Sequence, residues 1–184
     1  GDNDILYLLS AKYLSIFRWD TNNKRYLSSI PIKETPDFIT YSPAHGHLYL
    51  AYRSGIITQM DIVEPFNEQF FAQLDSIPCG LIASGSYILA CEDKIPTYNH
   101  FTYNSNGEKV STKSWNIAKP HTIRWSETKQ RIFFTYFWAG WGFNLHSEDI
   151  DINGNIINPK YVDFYNDNHD VNTYPFWNNN NGDL

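Results

Sequence analysis

The chain has 184 residues, of which 42% are apolar, 17% aromatic and only 18% charged, a composition that excludes a disordered or solvating segment and leaves enough length to bury a core without staples. Fourteen Lys and Arg against 20 Asp and Glu give a net charge of −6, so the basic field that a phosphate backbone demands is missing and nucleic acid is not expected as a partner. The longest apolar stretches, such as the one from Ile132 to Trp138, fall far short of the about 20 residues a membrane helix needs, and Gly1-Asp2-Asn3-Asp4 lacks the regions of a leader, so an address is expected to be either never present or removed.

Residues 6–9 form the first apolar run, residues 13–20 the next strand, and after Asn22-Asn23 a further strand is expected over 24–30. A Pro-led strand follows at 36–42, then an apolar run at 48–52, an alternating strand at 55–62 and another at 68–75. The order then repeats with Pro78 to Ser84, 87–91, 97–103 and 109–117, and again with Pro120 to Ser126, 132–136, 142–152 and 156–164. Pro36, Pro78 and Pro120 recur every 42 residues, as do Ser42, Ser84 and Ser126, and Leu6 stands 42 before Leu48. Asn106-Gly107 and Asn153-Gly154 are strong hairpin signals, because both central residues of a type I′ turn need positive φ. No window shows helical periodicity, so the chain is expected to be all-β.

Four short antiparallel strands per repeat is the pattern of a β-propeller blade, and a sandwich has no such period. At the residues quoted, the chain resembles the YVTN, WD40-like and quinoprotein-like propeller superfamily, in which a Pro-led inner strand ends in a polar turn before the second strand. The resemblance implies a single propeller domain with blades at about 5–32 plus 172–184, 36–76, 78–118 and 120–166. A Trp-Asp dipeptide closes only the strand at 13–20, as Trp19-Asp20, and no literal Tyr-Val-Thr-Asn occurs, so the resemblance is to the generic blade. Either the last residues pair with 6–9 and close a four-bladed ring, or the chain is part of a larger one. The second is preferred, since four blades is the small end of the four-to-eight range, and it allows a homodimer of joined arcs.

Candidate chemistry is sparse. Cys79 and Cys91 flank a hairpin centred on Gly85, where a simple register sets them opposite one another and permits a disulfide, the alternative being two buried free thiols. Asp149, Asp151 and Asn153 match the opening of a calcium loop, yet Lys160 stands where a bidentate Glu is required, and a plain hairpin is the better account. No other cofactor is expected. Of six histidines only His45 and His47 are close, in a turn without a third metal ligand, while His121 follows a repeat Pro and is expected near the central channel. The segment 133–143 is the least ordinary, with Trp138, Trp141 and Phe143 around two glycines, and large rings of this kind suit a protein or carbohydrate partner. Trp115, Trp125 and Trp177 fall within strands and are expected to pack between blades.

No nucleophile motif, phosphate loop or His-Glu-x-x-His is present. The expected function is therefore a non-catalytic binding module, with a fragment of a quinoprotein-like or lactonase-like enzyme as the alternative. The paired cysteines, Asn-rich turns and low Lys content point to an extracytoplasmic protein.

Overall fold

The structure, a computed structural model, describes residues 4–94, 97–115, 120–126, 129–138 and 142–163. Among these residues there is no helix, and the strands form four sheets of four antiparallel strands each, as expected. Sheet 1 holds β1 (Ile5–Ser10), β2 (Ser15–Asp20), β3 (Arg25–Tyr26) and β4 (Ile30–Pro31). Sheet 2 holds β5 (Phe38–Ser42), β6 (His47–Ala51), β7 (Ile56–Asp61) and β8 (Glu68–Gln73). Sheet 3 holds β9 (Ile77–Ser84), β10 (Tyr87–Lys94), β11 (Thr97–Tyr103) and β12 (Lys109–Trp115), and sheet 4 β13 (Pro120–Ser126), β14 (Arg131–Trp138), β15 (Gly142–Ile150) and β16 (Ile156–Asp163).

Sheets 2 to 4 are simple meanders, and β5 lies beside β9 and β9 beside β13, so the Pro-led strands gather at a hub. The second strands are apolar at successive positions because both of their faces are covered. Leu48 and Leu50 pack towards sheet 1, whereas Tyr49 and Ala51 pack towards sheet 3. Each such side chain taken from water contributes roughly 1.5–3 kcal/mol, which no sheet could obtain alone. Trp125 packs in the cluster between sheets 3 and 4, the place expected of it.

Three local expectations need correction. The fourth strand of sheet 1 is broken, because Arg18 on β2 donates from Nε to the Ser28 carbonyl at 2.7 Å and from Nη2 to the Ser28 hydroxyl, diverting the chain between β3 and β4. The same guanidinium donates from Nη1 to the Ile62 carbonyl at 2.6 Å, tying sheet 1 to sheet 2. The Asn-Gly turns are not type I′, since Gly107 and Gly154 have φ of +78° and +80° while Asn106 and Asn153 stay in the ordinary region. They are type I turns closed by a left-handed glycine, with Asn104 Oδ1 and Asp151 Oδ1 accepting the backbone N–H groups that a two-residue turn would have left inside the ladder.

The third correction concerns the cysteines, which are buried and not joined in a disulfide. The hairpin turns on two residues, Gly85 and Ser86, so Ser84 pairs with Tyr87 and Cys91 faces Gly80. Cys79 is the extra residue of a β-bulge between the Cys91 and Glu92 positions. Burial, and Cys79 beside it, push the Cys91 thiol well above the usual range, so neither thiolate chemistry nor ready oxidation is expected there.

Candidate functional site

The expected contact loop is borne by the longest hairpin among the described residues. In sheet 2 the second and third strands part at Ala51, paired with Ile57. The repeat carries that position to Thr135, paired with Leu145, yet the sheet 4 ladder continues through Tyr136↔Asn144, Phe137↔Phe143 and Trp138↔Gly142. At about 3.4 Å per residue the added pairs lengthen the hairpin by about 10 Å. The backbones of Trp138 and Phe143 lie on this extension; Trp141 lies outside the described residues, as do the side chains of Trp138 and Phe143.

His121 falls on β13, as the extra residue of a bulge between the Pro120 and Thr122 pairs. It thus repeats the Cys79 bulge one sheet later, next to the hub, although its side chain lies outside the described residues. The calcium candidates are committed to the fold. Asp149 accepts from Arg131 Nε at 2.6 Å and from Asn158 Nδ2 at 3.1 Å, and Arg131 and Asn158 hold its carboxyl below the usual range. Asp151 caps the turn through Asn153 N and Asn155 N, both at 2.8 Å, and Asn153 is exposed at its tip. These residues form the hairpin and do not converge, and among the described residues no group of three His, Cys, Asp or Glu is arranged to hold a metal.

His45 and His47 do separate work. The Ser86 carbonyl, 3.0 Å from His45 Nε2, can only accept, so the ring donates there and takes the Tyr49 hydroxyl proton at Nδ1, 2.7 Å away. This links sheet 2 to sheet 3 and satisfies a hydroxyl on a fully buried ring. His45→Ala is expected to cost about 2 kcal/mol by orphaning the Tyr49 hydroxyl, measured as a lower urea midpoint, and Tyr49→Phe in that background should restore most of it. His47 donates from Nδ1 to the His45 carbonyl at 2.6 Å and faces Asp61 Oδ1 from Nε2 at 3.2 Å.

The densest buried polar group among the described residues was not singled out from the sequence. Glu148 on β15 is 0% exposed, and its carboxylate is ringed by His146 Nε2 at 3.0 Å, Lys113 Nζ at 3.2 Å and His100 Nδ1 at 3.6 Å. His100 and Lys113 are cross-strand neighbours on β11 and β12, so the group fastens sheet 3 to sheet 4. Phe134 is set between the imidazoles, 4.6 Å from the ring of His100 and 5.6 Å from that of His146, and Tyr98 meets His100 edge-on at 4.5 Å. Burial alone would raise the Glu148 pKa, but the two histidines outweigh it and bring it down to about 2; burial lowers that of His100. The charge on Glu148 is thus kept by its partners, with both imidazoles 1% exposed and closed to a solvent-borne substrate. The signal lay in the repeat: Glu148 and His146 face Ile132 and Phe134 where Trp19 and Phe17 face Leu6 and Leu8 in sheet 1.

No family model matches the chain, and no curated protein matches it. Solved structures do. A chain of Kuenenia stuttgartiensis hydrazine synthase superposes with a TM-score of 0.63 at 16% identity, over 88% of this chain and 47% of that one. Dihydro-heme d1 dehydrogenase NirN, solved in complex with DHE, gives 0.62 at 12% identity over 89% and 36%, and a chain of the mitotic checkpoint complex gives 0.52 at 11% over 88% and 64%. The matching proteins are β-propellers, so the chain has a propeller-like fold of the WD40 kind, and it spans less than two thirds of the length of each. At such identities the likeness carries the fold alone.

Proposed function

We propose that the chain is a non-catalytic β-propeller module of the YVTN or quinoprotein-like kind, extracytoplasmic, that presents its blade loops to a protein or carbohydrate partner. The observation that carries this is the lengthened β14–β15 hairpin, whose added pairs hold Tyr136, Phe137, Trp138 and Phe143. Aromatic residues at the end of a lengthened hairpin supply contact area at low entropy cost. The large polar side chains support the same reading, since Arg18, Arg131 and Glu148 all join strands or sheets.

The test is titration of the full chain against cello-, chito- and malto-oligosaccharides and against a displayed peptide library, followed by the Trp138→Ala and Phe143→Ala variants. Each substitution is expected to weaken whatever binds the parent by about tenfold or more while leaving stability unchanged. Binding that both variants retain in full contradicts the assignment.

A second reading, part of an enzyme whose reactive groups lie on other blades, is favoured by the hydrazine synthase and dehydrogenase among the matching structures. An absorbing cofactor or stoichiometric metal in the purified protein would favour that reading over a binding module.

A further inference from the structure

The sheets are not all fastened in the same way. At the link between sheets 2 and 3 the fully buried carboxylate is Glu92, which accepts from Asp75 N at 2.9 Å, Ser76 N at 3.1 Å and Asn99 Nδ2 at 2.8 Å. Backbone and amide N–H groups of this kind do not titrate in the working range of a protein. Between sheets 3 and 4 the fully buried carboxylate is Glu148, and its neighbours include two imidazoles, His146 Nε2 at 3.0 Å and His100 Nδ1 at 3.6 Å. Imidazole is the side chain whose charge changes under mild acid. His100 comes from β11 and Lys113 from β12, whereas His146 and Glu148 share β15, so the group spans the interface between two sheets.

Among the described residues the other titratable groups at this interface are Lys113 on β12, Tyr98 on β11, edge-on to His100, and the thiols of Cys79 on β9 and Cys91 on β10, which share the core cluster of Phe134 and Ile123. Burial holds the Tyr98 hydroxyl and the Cys91 thiol well above their usual ranges, so both stay protonated in acid. We propose that the interface between sheets 3 and 4 is an acid-operated latch: mild acid parts sheet 4 from sheet 3 around His100, His146 and Glu148, while sheets 1 to 3 stay stacked. The cause is proton uptake on opening. Burial lowers the pKa of His100, so below its ordinary 6.5 the exposed ring gains a proton that the closed interface refuses. Below an ordinary 4.5 Glu148 gains another, since its closed-state value is about 2. Both uptakes favour the open form, and Glu92, held by donors that do not titrate, gives sheet 2 no such release from sheet 3. The inference does not depend on what the β14–β15 hairpin binds.

Both cysteines of the chain lie in this interface, so their reaction with 4,4′-dithiodipyridine, which modifies thiols even in acid, reads its opening. Each rate is divided by that of the urea-unfolded chain at the same pH, which removes the pH dependence of the thiols themselves. From about pH 7 to about pH 5 the ratio is expected to rise about tenfold or more, since one proton taken up on opening gives up to tenfold per pH unit. A thiol between sheets 2 and 3, introduced as Ala72→Cys with Cys79→Ala and Cys91→Ala, is expected to show no such rise. His100→Phe keeps a ring against Phe134 and Tyr98 but takes up no proton, and it is expected to flatten the response between those pH values. A ratio in the parent that does not change with pH overturns the proposal, and so does an equal rise at residue 72, which would mean that the chain opens as a whole. Should the Ala72→Cys chain fail to fold, the unfolding constant from urea titration at each pH takes its place, and cysteines that open no more often than the whole chain unfolds overturn the proposal equally.

Discussion

Glu148→Ala lowers the stability of the chain by about 3 kcal/mol, the low end of the cost of breaking a buried ion pair from one side. The substitution leaves the buried imidazoles of His100 and His146 without their carboxylate and strands the Lys113 ammonium beside them. It also changes how stability depends on pH. The folded carboxylate titrates at about 2 against an ordinary 4.5, so its contribution is complete above pH 4.5 and is lost as the pH falls towards 2. His100 has its pKa lowered by burial below an ordinary 6.5, so below that pH the unfolded chain takes up a proton the folded chain refuses, and stability falls there too. Both groups act in one direction: the urea midpoint drops from neutrality into acid, first through His100 and then through Glu148. In Glu148→Ala the second leg disappears. A midpoint that rises on acidification, or a variant as stable as its parent, would show that this cluster does not fasten sheets 3 and 4.

Gly107→Ala is expected to cost about 3 kcal/mol, combining roughly 1–2 kcal/mol for a side chain in the left-handed region with the cost of a forced contact. Gly107 has φ +78°, and a Cβ there would stand 2.1 Å from the Phe71 carbonyl oxygen on β8, a backbone atom of the neighbouring sheet. The hairpin of sheet 3 therefore rests on sheet 2 through bare backbone, and the methyl group must part them. Gly85→Ala is the control: its φ is +57°, but a Cβ there meets nothing within 4 Å, so only the conformational cost of about 1 kcal/mol applies. Thermal unfolding of both variants checks the difference, and equal losses would mean that the sheets do not meet at Gly107.

The architecture was legible because each blade must bury two faces, and that demand writes itself into every copy. The unbroken apolar run from Leu48 to Ala51 faces sheets 1 and 3 alternately, and apolar runs follow the next two Pro-led strands in the same way, at 87–91 and 132–136. Asn106-Gly107 marked a real turn but not its type, because the asparagine side chain at 104 stabilises a longer loop that no dipeptide rule weighs. The Cys79 and Cys91 register was off by one residue, since the turn takes two residues and a bulge absorbs the difference. The Glu148 cluster was hidden for another reason: its members come from β11, β12 and β15, and only the stacking of two sheets brings them within reach. Polar residues at repeat positions that are apolar elsewhere were the available sign.

The central claim is that successive sheets stack face to face with their Pro-led strands at a common hub. It is tested most directly by the nuclear Overhauser contacts of the Ile123 δ-methyl group. A Cβ placed on Gly80 would lie 2.1 Å from Ile123 Cδ1, so the methyl group fills the space that glycine leaves on the neighbouring hub strand. The account predicts strong cross-peaks from that methyl group to the Gly80 α-protons, with weaker ones to Cys91. A methyl group in contact only with residues of its own sheet would contradict it.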